Sequence, residues 1–160
     1  MIFLFIVAGV FVLDYAVKGH VNESRLQGSS RKIAGDKLIL RNCHNKGLAF
    51  GILKKTDAHC CQMISSAALG GILWETLRTW MNGGKGLKKA GLALILGGGA
   101  NNFAERIQKG YVTDYVSVNV KNKKIRSLAF NLSDLFIVAG TVFWTVGSAL
   151  PHRTHSNRKR

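Results

Sequence analysis

The chain has 160 residues, a length that fits one domain. Hydrophobic residues make up 47% of it, yet 23 Lys and Arg against 8 Asp and Glu give a formal net charge of +15. This mixture argues against a single soluble core and favours apolar segments joined by basic connections. The basic residues lie in every connection rather than in one stripe, and no nucleic-acid-binding motif is present, so we expect no nucleic-acid partner.

The metal-binding residue types show no pattern of a site. The three cysteines, Cys43, Cys60 and Cys61, are odd in number and lack CxxC spacing, and the five histidines are scattered, mostly in connections. The sequence therefore predicts no disulfide framework, no metal site and no cofactor.

Four apolar segments are long enough to be membrane spans, at residues 1–17, 58–80, 87–104 and 128–150. The first has a cleaved signal peptide as its alternative. No Lys or Arg precedes its apolar run and Asp14 interrupts its end, which favours a retained helix. Small residues in the second and third segments, including the GGG at 97–99, allow close helix packing.

The connections contain weaker signals. Residues 36–41 and 111–120 are predicted to be strands, since the first has a short apolar run and the second alternates. Residues 44–53, with two glycines around a small apolar cluster, suggest a tight loop returning to the membrane, and residues 121–124 suggest a turn. The basic residues 151–160 are predicted to be a disordered cytoplasmic tail.

An even number of spans places both termini on one side of the membrane. The positive-inside rule favours the cytoplasm for them, with residues 18–57 and 105–127 outside. Glu75 and Arg78 lie three residues apart at the far end of the second span and are expected to form a surface ion pair.

Polar residues gather near one end of the four segments. Asp14 ends the first, Asn102 and Arg106 end the third, and Asp114 follows within a few residues. Asp134 lies about six residues into the fourth, roughly 9 Å along its axis. Ionisable groups at membrane depth are costly, so this convergence at the extracytoplasmic interface indicates a functional site.

We interpret Asp114 and Asp134 as a paired-carboxylate site, with Asn131 one helical turn before Asp134 on the same face. Two close carboxylates cannot both ionise easily, so the pair holds one proton. One member then activates water for attack on a peptide carbonyl, and the other helps to protonate the leaving nitrogen. The alternative is two separate salt bridges or helix caps.

Four ordered motifs resemble those of the lipoprotein signal peptidases, or signal peptidase II, of bacterial membranes. Residues 14–18 (DYAVK) resemble the DxxxK of that family, and residues 45–51 (NKGLAFG) resemble its NxGxAFG loop. Residues 98–106 (GGANNFAER) with 110–115 (GYVTDY) resemble GGAxGNxxDRxxxGxVxDF. Residues 130–134 (FNLSD) resemble FNxAD. The resemblance covers most of the chain, from Asp14 to about residue 140.

This resemblance implies an aspartyl endopeptidase that cuts diacylglyceryl prolipoproteins just before the lipidated cysteine. It implies Asp114 and Asp134 as the catalytic pair. The supporting positions are Asp14, Lys18, Asn45, Asn102, Arg106 and Asn131. It also implies a membrane α-helical fold of four transmembrane helices with a small extracytoplasmic β-sheet. Residues 1–150 would form one peptidase domain in the bacterial cytoplasmic membrane, monomeric, in contact with membrane lipids, with its site at the extracytoplasmic face.

Three positions depart from the family pattern. Glu105 replaces an Asp, Asn101 replaces a Gly, and Ser133 replaces an Ala. The hydroxyl that Ser133 adds is expected to reach a carboxylate or the helix backbone. These changes affect fine geometry and remove no catalytic group.

A non-enzymatic four-helix protein, such as a proton- or ion-conducting subunit, is the competing interpretation. Asp14 and Asp134 would then act as relay groups. A relay places acids through the membrane depth, whereas the intramembrane acids here crowd one face, apart from Glu75.

Overall fold

The computed structural model describes residues 1–47, 57–84 and 86–150. Within them the helices are α1 (Ile2–Ser24), α2 (Ala58–Met81), α3 (Gly86–Lys109), α4 (Lys123–Arg126) and α5 (Leu132–Ala149). The strands are β1 (Ser30–Ile33), β2 (Leu38–Asn45) and β3 (Val112–Val118). The predicted tail at 151–160 and most of the predicted loop at 44–53 lie outside the described residues.

Helix α3 is the central helix, and it packs against α1, α2 and α5. Glycines make this possible, because a Cβ on Gly91 would lie 2.6 Å from the Gly140 carbonyl oxygen and one on Gly98 would lie 2.7 Å from that of Ser133. A Cβ on Gly97 would lie 2.8 Å from Val10 Cβ. The predicted role of the GGG segment in close helix packing is confirmed at Gly97 and Gly98.

Two of the described helices are long and apolar enough to cross a membrane, α1 with mean hydropathy 2.0 and α5 with 1.4. The predicted second and third spans are helices of 24 residues each. They fall short on hydropathy because serine, threonine, glycine and charged residues interrupt them. The mostly helical architecture with a small sheet is as expected, while hydropathy alone supports two spans rather than four.

The three strands form one antiparallel sheet in the order β1-β2-β3. The strand predicted at 36–41 starts two residues later and runs on to Asn45, which places that side chain in the sheet. Strand β1 was not predicted, because its sequence SRKI is mostly polar and exposed. Strand β3 matches the predicted strand at 111–120, and Phe130 forms a bridge to its residue Val116.

Three predicted boundaries were wrong in ways that matter for the site. Helix α1 continues to Ser24, so Lys18 lies inside a helix rather than at the start of a connection. The fourth span begins at Leu132, with Asn131 as its N-cap, so Asp134 lies in the first helical turn and not 9 Å along the axis. Residues 121–124 were predicted to be a turn, but α4 begins at Lys123, with the Asn122 side chain capping it.

Candidate active site

Asp114 is a buried carboxylic acid on β3, an edge strand of the sheet, with 3% of its surface exposed. Its Oδ1 accepts a hydrogen bond from Asn131 Nδ2 at 2.8 Å, and its Oδ2 accepts one from Asn45 Nδ2 at 3.0 Å. In the register of β2 and β3, Asp114 is opposite Cys43 and Asn45 is opposite Val112. Asn45 therefore reaches Asp114 as a diagonal cross-strand neighbour.

Asp134 is held by the first turn of α5 through a capping box. The Asn131 side-chain oxygen accepts from the Asp134 backbone N–H at 2.9 Å, and Asp134 Oδ2 accepts from the Asn131 N–H at 3.2 Å. Asp134 Oδ1 accepts from Asn102 Nδ2 at 2.9 Å. Asp134 Oδ2 thus accepts from a backbone N–H that the start of the helix leaves unpaired, as in other capping boxes, while Oδ1 faces Asn102 on α3.

Asn131 connects the two acids. Its side-chain oxygen belongs to the α5 cap and its side-chain nitrogen binds Asp114, so one residue fixes both carboxyl groups. All four carboxyl oxygens of the pair accept a hydrogen bond from an amide N–H. This arrangement orients the groups without neutralising either of them, because an amide supplies no net charge.

The negative charge of Asp134 affects the pKa of Asp114. Burial and the charge of Asp134 together raise the pKa of Asp114 to about 7, against the opposing effect of its two asparagine hydrogen bonds. A carboxyl group in this range exchanges its proton near neutral pH, as acid–base catalysis requires.

A buried ammonium lies directly behind Asp134. Lys18 Nζ lies 2.9 Å from Asp14 Oδ2 and 3.3 Å from Glu105 Oε2. It donates to Asn101 Oδ1 at 2.7 Å and to Asn102 Oδ1 at 2.6 Å. Lys18 is hydrogen-bonded to the pair only through Asn102, and its charge also lowers the pKa of Asp114 through space.

Asp14 likewise lies one layer behind the pair. Its carboxylate accepts from Tyr115 Oη at 2.8 Å and from the Ser133 hydroxyl. Tyr115 Oη in turn accepts from the Leu132 backbone N–H at 2.9 Å. Asp14 thus ties α1 to β3 and to the start of α5, and the Ser133 hydroxyl reaches a carboxylate as its position suggested.

Glu105 supports the strand that carries Asp114. Its Oε2 accepts from the Thr113 backbone N–H at 2.9 Å, and its Oε1 accepts from the Thr113 hydroxyl at 2.6 Å. Lys109 also pairs with it at 2.9 Å. Lys18 of α1, Lys109 of α3 and Thr113 of β3 are its polar partners, and the longer side chain at this position reaches the neighbour of Asp114.

Arg106 is buried at the wall of the site. Its guanidinium donates to Ser65 Oγ of α2 at 2.9 Å and to the Gly47 carbonyl at 2.8 Å. Its Nε has no hydrogen-bond partner among the described residues. Arg106 therefore clamps the end of the sheet to α2.

Both acids open onto one cavity of about 320 Å³. Asn45, Asn102 and Arg106 stand with the acids at its polar end. The remaining walls are mostly apolar and come chiefly from α2 and α3, with Val112 and Ile137 completing them: Ile64, Ala68, Leu69, Ile72, Ile95 and Phe103. The apolar walls and the single polar end suit an apolar ligand with a polar bond at that end.

The structure brings all eight predicted site residues to one end of the molecule. Asn45, Asn102 and Asn131 touch the acids, Arg106 lines the cavity, and Asp14 with Lys18 forms the layer behind. Sequence reasoning assigned no role to Tyr115 or Ser65. The position of Tyr115 directly after Asp114 was a signal for it, whereas Ser65 in a helix of small residues carried none. Within the described ranges no group of three or more His, Cys, Asp or Glu is arranged to hold a metal.

The molecule has apolar helices and two buried carboxyl groups that accept hydrogen bonds from amides at the end of an apolar cavity. These are the features of a membrane-associated aspartic peptidase. A family model described as Signal peptidase (SPase) II matches residues 6–150. The chain belongs to the signal peptidase II family, as its motifs predicted.

Individual relatives agree. A lipoprotein signal peptidase of Lactiplantibacillus plantarum is 30% identical over 148 residues, covering 91% of this chain and 93% of the relative. One of Clostridioides difficile is 27% identical over 143 residues, covering 89% and 91%. A solved structure described as a bacterial membrane enzyme has the same fold, with a TM-score of 0.77 at 19% identity over 98% of this chain and 91% of the other.

Proposed function

We propose that this chain is a lipoprotein signal peptidase that hydrolyses the peptide bond immediately before the diacylglyceryl cysteine of a prolipoprotein, with Asp114 and Asp134 as its catalytic residues. Family membership supports the activity. The observation that carries the residue assignment is the set of four amide hydrogen bonds to the four carboxyl oxygens, made by three asparagines.

The two acids have different roles in the proposed reaction. Asp134 lies in the first turn of α5, where the helix dipole favours a negative charge, and its partner Asn102 is bound to an ammonium. Asp114 has only neutral donors, and its pKa is raised to about 7 by burial and by the charge of Asp134. Asp114 is therefore the protonated acid and Asp134 the ionised base.

The proton transfers balance over one turnover. Asp134 accepts a proton from water as the water oxygen bonds to the carbonyl carbon, and Asp114 gives its proton to the carbonyl oxygen. The C–N bond of the tetrahedral intermediate then breaks. Asp134 passes its proton to the leaving nitrogen, and Asp114 recovers one from the hydroxyl, so both acids return to their starting state.

The cavity suits the proposed substrate. Its apolar walls match the hydrophobic segment of a signal peptide, and the acids lie where that segment ends. Arg106 lines the polar end of the cavity beside the acids, and its guanidinium is held there by Ser65 and the Gly47 carbonyl. Asn45 and Asn102 are committed to the acids and orient them.

The proposed membrane arrangement has α1, α2, α3 and α5 crossing the bilayer and the sheet outside. At about 1.5 Å per residue, the 24 residues of α2 and of α3 span about 36 Å, enough for a ~30 Å core. Both termini are then cytoplasmic in a bacterial cytoplasmic membrane, and residues 1–150 form one domain. The chain acts as a monomer, since one chain supplies every group named in the reaction.

The relay alternative is not favoured. Asp14, Glu105, Asp114 and Asp134 gather at one end of the bundle, and they are joined by hydrogen bonds rather than spaced along a path. Family membership points to hydrolysis.

Cleavage of a synthetic diacylglyceryl prolipoprotein peptide by the purified chain tests the activity. The same peptide with serine in place of the lipidated cysteine is the matched control. Cleavage of the lipidated peptide alone supports the proposal, and no cleavage of either peptide by folded protein contradicts it.

Cysteine labelling tests the orientation. In a variant whose three native cysteines are replaced by serine, Asn122→Cys should react with an impermeant reagent in intact cells. Asn82→Cys, at the other end of the bundle, should react only after permeabilisation. The reverse pattern would exclude the arrangement.

A further inference from the structure

The Asn102 side-chain amide lies between Asp134 and Lys18, and the way round that it is held decides whether it donates a hydrogen bond to Asp134. Asn102 offers one oxygen and one NH₂ group, and either end has a similar shape. Here Nδ2 faces Asp134 Oδ1 at 2.9 Å and Oδ1 faces Lys18 Nζ at 2.6 Å. The reverse orientation would place the NH₂ group against an ammonium and the oxygen against a carboxylate, which makes two mismatches at once.

Lys18 is the group that fixes this direction. An ammonium only donates hydrogen bonds, so whichever atom of Asn102 faces it must be the acceptor. The Lys18 side chain is 3% exposed, so water does not compete for that place. Asn101, whose Oδ1 also accepts from Lys18, donates through its own amide to the Phe11 carbonyl at 2.8 Å and steadies the ammonium against α1.

We infer that Lys18 is a positioning residue for the reaction: it holds the Asn102 amide in the orientation that donates to Asp134, and thereby keeps Asp134 as the base of the pair. This inference rests on the proposed function, because its main measurement is cleavage. Lys18 touches neither acid of the pair and acts through Asn102.

Several other charged or titratable groups face this cluster and must be kept distinct from Lys18. They are Asp14 on α1, Cys61 on α2, Glu105, Arg106 and Lys109 on α3, His44 on β2, Asp114 and Tyr115 on β3, and Asp134 on α5. Among them, Lys109 is the useful comparison. It also pairs with Glu105, at 2.9 Å, but its side chain is 35% exposed and it belongs to the last turn of α3, away from Asn102.

The experiment compares Lys18→Met with Lys109→Met in detergent-purified protein. Both changes remove one cation from Glu105, while only the first frees Asn102 to reverse. Lys18→Met should lower kcat about 10- to 100-fold with KM nearly unchanged, because the base is affected and the cavity is not. The acidic limb of its pH–rate profile should move to higher pH by about 0.5 to 1 unit. Lys109→Met should keep the wild-type profile.

Lys18→Met leaves the buried Asp14 carboxylate without its cation, so a second variant guards against misfolding. Lys18→Met/Asp14→Asn removes the ion pair as a unit, which folded proteins tolerate better than removal of one partner. Asp14→Asn alone is its reference, and the double variant should show the displaced acidic limb relative to that reference.

The outcomes are separable. A folded Lys18→Met or double variant with an unmoved profile overturns the inference, as does an equal displacement in Lys109→Met, which would assign the effect to the lost pairing with Glu105. If neither Lys18 variant folds, Lys18 is a structural residue and the inference is wrong. Absence of cleavage by the wild-type chain would instead contradict the proposed function.

Discussion

The chain contains two clusters of carboxylate and lysine, at opposite ends of the bundle, that differ chiefly in burial. In the first, the side chains of Asp14, Lys18 and Glu105 are 0%, 3% and 6% exposed. In the second, Glu75 is 17% exposed and its partner Lys88, at 2.7 Å, is 22% exposed. The surface pair predicted between Glu75 and Arg78 is confirmed at 3.5 Å, with Lys88 as the closer partner.

The difference in burial between the two clusters indicates when a charge cluster has a function beyond stability. The cluster at Glu75 ends at solvent, and its energy is screened. The cluster at Lys18 is connected to the acids by neutral groups. Lys18 binds Asn102, which binds Asp134, and Glu105 binds Thr113 on the strand that carries Asp114. Burial makes each of those hydrogen bonds obligatory, since an unmade one costs the full desolvation penalty.

Changes to the acids themselves should give the largest effect of all. Asp114→Asn and Asp134→Asn should each lower cleavage by about 10³-fold or more, because asparagine keeps the size but cannot exchange a proton. The measurement is turnover of a diacylglyceryl prolipoprotein peptide, with a melting curve for each variant.

A double variant sharpens that prediction. Residues that act as one unit are not additive, so Asp114→Asn/Asp134→Asn should be scarcely worse than either single change. Near-normal turnover by a folded single variant would rule out the pair. Losses that multiply in the double variant would mean two independent roles.

The second effect is on the pH dependence of stability. Asp114 has a folded pKa of about 7 against 3.8 for the free group, so the folded state keeps a proton that the unfolded state loses between these values. The free energy of unfolding should therefore fall as pH rises from about 4 to 7, by at most about 4 kcal/mol, and level off above.

Melting curves at pH 5 and pH 8 check this sign. The difference between the two pH values should shrink in Asp114→Asn. Asp36→Asn is the control, because Asp36 is a surface carboxylate paired with Lys32, and it should leave the difference unchanged. An equal or larger difference in Asp114→Asn would contradict the raised pKa.

The third effect concerns the contact that places α5 beside α3. Gly98→Ala puts a methyl group 2.7 Å from the Ser133 carbonyl, a backbone atom that cannot move without shifting the cap at Asn131. It should cost about 1 to 3 kcal/mol of stability and reduce cleavage as well. Gly70→Ala is the matched control, since its methyl group meets nothing within 4 Å and should be neutral or slightly stabilising. Equal melting temperatures in the two variants would show that the contact has no role.

The smallest effect should come from the exposed cluster. Glu75→Gln should change stability by less than about 1 kcal/mol and leave the pH–rate profile unchanged, because both of its ion pairs are partly exposed and lie at the end of the bundle away from the acids. Thermal melting and the cleavage assay measure the two quantities. A displaced profile would mean that the clusters at the two ends are coupled.

Much of this arrangement followed from the sequence, because motifs and apolar periods are local signals. The four long helices, two of the strands and the gathering of the polar residues were predicted. The depth of Asp134 was not, since residues 128–130 extend the apolar run toward the N-terminus while the helix starts only where Asn131 caps it. Strand β1 is mostly polar and forms only because β2 offers an edge. The partner of Ser133 depends on the approach of α1 to α5, which no local pattern records.

The bridge between Phe130 and Val116 has a consequence for how the chain can be altered. The Phe130 N–H binds the Val116 carbonyl at 2.8 Å, and the Phe130 carbonyl accepts from Tyr115 and Val116. Residues 119–129 therefore form an excursion whose two ends are held together by this backbone bridge, close to the acids. An epitope or a reporter domain grafted near Asn122 should leave catalysis intact, whereas one extra residue between Asn131 and Asp134 should abolish it. The enzyme thus carries a natural attachment point at Asn122, nine residues before the cap whose length is fixed by the two acids.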